Sequence, residues 1–185
     1  MSKINQWATF LLILGIVCIS YPYMMHRIQG EEMKQLQAAL EDIQVTGKSD
    51  GPVDEEDLLS TLKLSIPAIN LNTHVLPKTT KEYLNIALTQ IKKDKVPGQG
   101  NFTIAGHNSS VFGRHFNRLH ELVIGDEIQL IVGEDVYTYQ VESKTVIAAT
   151  AVEVLNDTPG KNEITLITCT DSGRKRLAIK GYRIS

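Results

Sequence analysis

At 185 residues, 42% of them hydrophobic and 22% charged, the chain is long enough for one ordinary domain with an appendage and too short for two large ones. Usage of 13 Gly and 6 Pro excludes collagen-like and low-complexity classes. The balance of 19 Lys+Arg against 21 Asp+Glu gives −2, and only Lys3 and Arg27 fall in the first 29 residues; with no basic stripe to neutralise phosphates, nucleic-acid binding is excluded as a function.

Trp7 to Met25 run without a charge, between Lys3 and the pair His26/Arg27. As a helix rising about 1.5 Å per residue, this stretch just spans a bilayer core of roughly 30 Å. Trp7 marks one edge, and Tyr21 and Tyr23 the other, where interfacial aromatics belong. A cleaved signal peptide is the competing reading, but Tyr21-Pro22-Tyr23 stands where a small-x-small cleavage site is needed. Val17 before Cys18 likewise argues against a lipoprotein site. Residues 1–28 are therefore read as a short stub and an uncleaved transmembrane helix. Lys3 and the amino terminus balance Arg27 and His26, so charge alone leaves the orientation open.

Met33, Leu36, Leu40 and Ile43 recur at spacings of three and four, which predicts a helix over Gln29 to Asp42, with a partly ordered spacer as the alternative. The breakers from Thr46 to Pro52 and the acidic run to Asp57 read as a linker, so 29–57 forms a juxtamembrane segment. From Leu58 to Ser185 short strands dominate. Leu62, Leu64 and Ile66 alternate with polar residues up to Pro67, and Ile69, Leu71 and Val75 continue the pattern. Leu84, Ala87, Leu88 and Ile91 predict one amphipathic helix, closed by Val96-Pro97-Gly98. Asn101 to Ala105 is a strand broken at Gly106. Glu127 to Val132 and Val136 to Val141 form a hairpin around Gly133, and Thr145 to Ala149, Glu163 to Thr168 and Leu177 to Ile184 complete the set. About eight short strands with one or two helices predict a mostly β domain, a closed or nearly closed barrel.

Two segments could carry chemistry. Thr165-Leu166-Ile167-Thr168-Cys169 puts a thiol at the end of an apolar strand, and the return from Thr170 to Lys175 brings Arg176 beside it. A guanidinium there favours the thiolate and can donate hydrogen bonds to an oxyanion on a substrate carbonyl. The alternative is a buried structural cysteine. Cys18 in the membrane and Cys169 far outside it cannot bridge, so no disulfide framework is expected. The second segment is Thr103-Ile104-Ala105-Gly106-His107, where a histidine follows a strand-ending Gly and can turn toward a neighbouring strand end. His115 and His120 lie in a helix-like turn, with a solvated or packing role as the default. Cys and His residues are not spaced as metal ligands, so neither a metal site nor a cofactor is expected.

Thr-Leu-Ile-Thr-Cys, Arg176 seven positions after the cysteine, and the upstream Ala-Gly-His together resemble a sortase over roughly Leu58 to Ser185. Sortases are membrane-anchored cysteine transpeptidases of Gram-positive bacteria. The resemblance implies an eight-stranded sortase-type β-barrel behind an N-terminal transmembrane helix. It implies a single-pass protein of the cell membrane, with its N-terminus cytoplasmic and its catalytic domain extracellular. The anchor and the lack of a C-terminal membrane segment look most like class A, with class D the nearest rival. Gly51 to Ser60 holds Asp54 and Asp57 but no aromatic, unlike the lid of pilin-polymerising members. Some class A members bind calcium through an acidic loop before the histidine strand. Ile91 to Lys95 offers one carboxylate, Asp94, among Lys92, Lys93 and Lys95, so no calcium requirement is expected.

The resemblance further implies roles. Cys169 is the nucleophile on the Thr carbonyl of a Leu-Pro-X-Thr-Gly-type sorting signal, His107 the general acid and base, and Arg176 the stabiliser of oxyanion and substrate. The partners are surface proteins bearing that signal, and the amine of lipid II or a peptidoglycan cross-bridge. Ala105, Ala151, Val154, Leu155, Ile167 and Thr168 are expected to line the substrate groove, with core packing as the alternative for Val154 and Leu155. A hydrolytic cysteine protease and a non-enzymatic binding barrel are the rival functions.

Overall fold

The computed structural model describes residues 10–16, 20, 53–93, 95–109, 115–170 and 173–185. Residues 10–16 are helical and exposed. The anchor expected over 7–25 otherwise lies outside the described residues, as does the helix expected over 29–42. Among the described residues no helix is long and apolar enough to cross a membrane.

Eight strands close into one barrel: β1 (Leu62–Ile66), β2 (Leu71–Leu76), β3 (Leu88–Gln90), β4 (Asn101–Ala105), β5 (Glu127–Val132), β6 (Asp135–Ala148), β7 (Glu163–Thr170) and β8 (Lys175–Arg183), in the spatial order β1-β2-β3-β4-β7-β8-β6-β5. Closure removes sheet edges that would otherwise pair with other chains. Period-two patterning fixes which side faces in. Leu64 and Ile66 of β1, Phe102 and Ile104 of β4, and Leu166 of β7 are all fully buried in one core with Phe116 and Tyr139. Tyr139 satisfies its hydroxyl by accepting from the Gly98 amide at 3.0 Å. Pro67 ends β1 by opening a 3₁₀ turn, and left-handed Asn70 (φ 50°) redirects the chain into β2, paired antiparallel from Leu62↔Val75 to Ile66↔Leu71.

Three sequence expectations change. The helix expected through Ile91 is α2, Lys81–Ile86, after a short α1 at Glu55–Leu59. Thr80 caps α2 by accepting from the Tyr83 amide at 3.1 Å, and Ala87 is already extended. Leu88 then leaves the helical face because parallel pairing with Val75 buries it completely; sheet pairing overrides local periodicity. The two strands expected over Val136–Val141 and Thr145–Ala149 are one long β6, whose register shifts between Val141 and Ser143. Finally, the linker reading ended at Asp57, yet Val53 and Asp57 are packed into the fold.

Val53 and Leu58 form a satellite core with Leu76, Tyr83, Ile86 and Ala87. Asp57, 7% exposed, accepts from the Tyr83 hydroxyl at 2.7 Å and pairs with Lys78 at 2.5 Å. A chain starting at Leu58 loses both anchors. Burial of Val53 alone is worth about 1.5–3 kcal/mol, so its thermal midpoint is expected several degrees below that of a chain starting near residue 50.

Burial alone would raise the Asp57 pKa, but the bonds from Lys78 and Tyr83 outweigh it and hold the carboxyl below its usual value. A depressed folded-state value stabilises above the unfolded value of about 4, and that contribution is lost as pH falls through the folded value. Asp57→Asn is therefore expected to lower the melting midpoint at pH 7 and to converge on wild type in strong acid, as read by melts across pH.

Candidate active site

β4 and β7 run parallel, from Asn101↔Glu163 to Ala105↔Ile167. The pairing continues past β4: the Gly106 amide donates to the Ile167 carbonyl at 3.1 Å, and the Thr168 hydroxyl donates to the Gly106 carbonyl at 2.8 Å. Two residues beyond Ala105 and Ile167, that register puts His107 alongside Cys169. On the other side of β7 the antiparallel pairing with β8 sets Cys169 directly opposite Arg176. Strand alternation places Cys169 and Arg176 on the face away from the core, as Leu166, Leu177 and Ile179 occupy the interior. His107 is exposed, and Cys169 and Arg176 are half-buried. The three predicted residues thus stand on three adjacent chains at one end of the barrel.

Cys169 is a free thiol, set inside β7 rather than just after it. Arg176 donates through Nη1 to the carbonyls of Gly173 (2.8 Å) and Lys175 (3.0 Å). Those bonds hold one arm of the guanidinium against the start of β8; among the described residues its Nε and Nη2 make none, which leaves donors for a developing oxyanion.

A floor runs across the same face. Ala105 of β4 lies beside Ile167 of β7, which lies beside Ala178 of β8. Ala105 and Ile167 are half-buried. The segment 149–162 between β6 and β7 supplies a wall carrying a 3₁₀ turn, Val152–Leu155, in which no residue is buried. Ala151, Val154 and Leu155 are half-buried, so Val154 and Leu155 are not core residues. Thr168 is the exception among the expected lining residues. It is buried, and alternation puts it on the face opposite Cys169, where its hydroxyl ties β7 to Gly106. It supports the strand end and does not line a groove on the Cys169 face.

Sequence reasoning missed what fixes this wall. Asn101, completely buried, donates through Nδ2 to the carbonyls of Val154 (3.0 Å) and Asn156 (3.1 Å), and its Oδ1 accepts from the Thr165 hydroxyl at 2.7 Å. Its backbone amide donates to Asp157 at 2.9 Å, and Lys95 pairs with the same carboxylate. Lys95 and the Asn101 amide together hold the Asp157 carboxyl below its usual value. Lys92 donates to the Leu155 carbonyl at 2.6 Å. Two of the three lysines noted around Asp94 therefore bind the wall as ammonium groups. Among the described residues, no three His, Cys, Asp or Glu side chains are gathered to hold a metal ion.

Gly106 was read only as a strand breaker, and its role is also steric. A Cβ there would come within 2.4 Å of Leu88 Cδ2 and 2.8 Å of Phe116 Cδ2, both core side chains. Gly106→Ala is expected to cost about 1–3 kcal/mol of stability by overpacking. Because His107 is the next residue, activity is expected to fall further than the melting midpoint predicts; denaturant melts run beside a turnover assay measure both.

Comparison with known proteins identifies the family to which this fold belongs. A family model described as the sortase domain matches residues 64–184. Sortase A of Bacillus anthracis is 31% identical over 192 residues, covering 94% of this chain and 91% of that protein. The solved structure of sortase A from Listeria monocytogenes is similar at a TM-score of 0.63 and 30% identity, over 67% of this chain and 86% of that one. A sortase D transpeptidase from Clostridium perfringens has the same fold at a TM-score of 0.65 and 21% identity, over 86% of this chain and 99% of that one.

Proposed function

The chain belongs to the sortase family, whose members are cysteine transpeptidases, and from that premise we propose that it is a housekeeping enzyme of the class A type, acting on a Leu-Pro-X-Thr-Gly-type sorting signal. The observation that supports this reading is the pairing of β7 with β8, which sets Cys169 opposite Arg176, beside a parallel β4 whose last residue, Ala105, lies two positions before His107. The Cys169 thiolate attacks the Thr carbonyl, and Arg176 stabilises the oxyanion. The Thr–Gly C–N bond then breaks, with His107 giving its proton to the departing amine. A thioacyl-enzyme remains. The incoming amine, from lipid II or a peptidoglycan cross-bridge, attacks the thioester and loses its proton to His107; the C–S bond breaks, the new amide forms and the Cys169 thiolate is expelled, restoring the starting charge state.

Ala105, Ile167, Ala151, Val154 and Leu155 receive the Leu and Pro of the signal. The uncharged run 7–25 holds the domain on the outer face of the cell membrane with its N-terminus cytoplasmic. Both substrates are membrane-tethered, so tethering the enzyme raises their effective concentration.

Mass spectrometry of the products from a model sorting peptide plus an amine tests the reading. Amine-joined peptide is the expected product; free acid alone would make the chain a hydrolase. Added calcium is expected to leave the rate nearly unchanged, since Lys92 and Lys95 already bind the wall. Several-fold activation reversed by chelator would contradict that.

A further inference from the structure

We propose that His115 is a positioning residue that fixes the plane of the His107 imidazole; this rests on the reading of His107 as general acid and base. A general base is effective when a third group orients it, a part commonly played by a carboxylate. Here the His107 ring is exposed, and among the described residues no hydrogen bond to that ring is made. Its defined ring contact is with His115, at a centroid separation of 6.4 Å and an interplanar angle of 86°. Edge-on packing of this kind is directional, because the positive edge of one ring meets the negative face of the other.

His115 is equipped to act as a fixed reference. It is 6% exposed and lies in the left-handed region at φ 52°, a conformation that costs a non-glycine residue roughly 1–2 kcal/mol and persists only when its surroundings impose it. Those surroundings are visible. Asn108 and His115 form an isolated antiparallel bridge, and the Phe116 amide donates to the His107 carbonyl at 3.1 Å. Phe116 is itself 1% exposed in the main core. The chain thus leaves β4 at His107, turns back, and is clamped against His107 by backbone bonds at the point where the His115 ring meets it. A buried ring on an immobilised backbone can restrict an exposed one, and misplacement of a reacting group by about 1 Å can cost about 10²-fold in rate.

The test compares His115→Asn, His115→Phe and His107→Ala in the full chain, with a sorting peptide and an amine. Asn tolerates the left-handed backbone, so His115→Asn removes the ring without adding strain. It is expected to lower kcat about ten-fold or more with KM changed less than two-fold, while circular dichroism shows a folded chain. His115→Phe keeps an aromatic edge and is expected to recover most of kcat. A merely structural residue would instead make kcat follow the melting midpoint across both variants. Wild-type kcat in His115→Asn beside an inactive His107→Ala would overturn this proposal alone. Full activity of His107→Ala would overturn the reading beneath it as well.

Discussion

Cys169→Ala is expected to abolish thioacyl formation outright, whereas Cys18→Ala leaves the rate unchanged. The difference follows from placement. Cys169 lies half-buried between the chain ends that carry His107 and Arg176, and Cys18 belongs to the uncharged run expected to lie in the membrane. His107→Ala removes proton transfer to the departing amine and is expected to cost a factor of about 10² to 10⁴. Single-turnover assays with a sorting peptide separate the two, since the cysteine variant should form no adduct at all.

Arg176→Ala is expected to slow transpeptidation by about 10² to 10³, the usual cost of one oxyanion donor, and Arg174→Ala much less. Arg176 is paired with Cys169 across the β7–β8 ladder, so its Cα is held at a fixed separation from the nucleophile. Arg174 precedes β8, in the connection that follows Thr170. Arg176→Lys should restore little, because an ammonium lacks the forked geometry with which a guanidinium donates along two directions. A larger rate loss in Arg174→Ala, with both variants folded by circular dichroism, would reverse the assignment.

Much of this was legible in the sequence because it depends on local pattern. Alternation at Leu62, Leu64 and Ile66 announced β1, and the strand-Gly-His and strand-Cys segments announced two of the chain ends that β4 and β7 bring together. The eight-strand count survives, although β3 was hidden inside an apparent helix. There Leu84, Ala87 and Leu88 fit a helical period, and only the parallel partner Val75 reveals that Leu88 belongs to the sheet.

What the sequence could not show depends on partners distant along the chain. Asn101 looks like an ordinary strand residue until Val154, Asn156 and Thr165 are found around it. Thr168 looks like a groove residue until strand alternation turns it from Cys169 toward the Gly106 carbonyl. Gly106 reads as punctuation until Leu88 and Phe116 close on it. His115 was one of two histidines in a polar turn, and its meaning comes from the backbone bridge that returns it to His107.

The central claim is that Cys169, flanked by Arg176 and His107, becomes acylated by the substrate. Incubating the protein with a Leu-Pro-X-Thr-Gly-type peptide, quenching in acid and mapping by mass spectrometry tests it most directly. The account predicts one adduct, on the fragment containing Cys169, with the mass of the peptide through its Thr. Turnover with no adduct on that fragment, or with the adduct on Cys18, would contradict it.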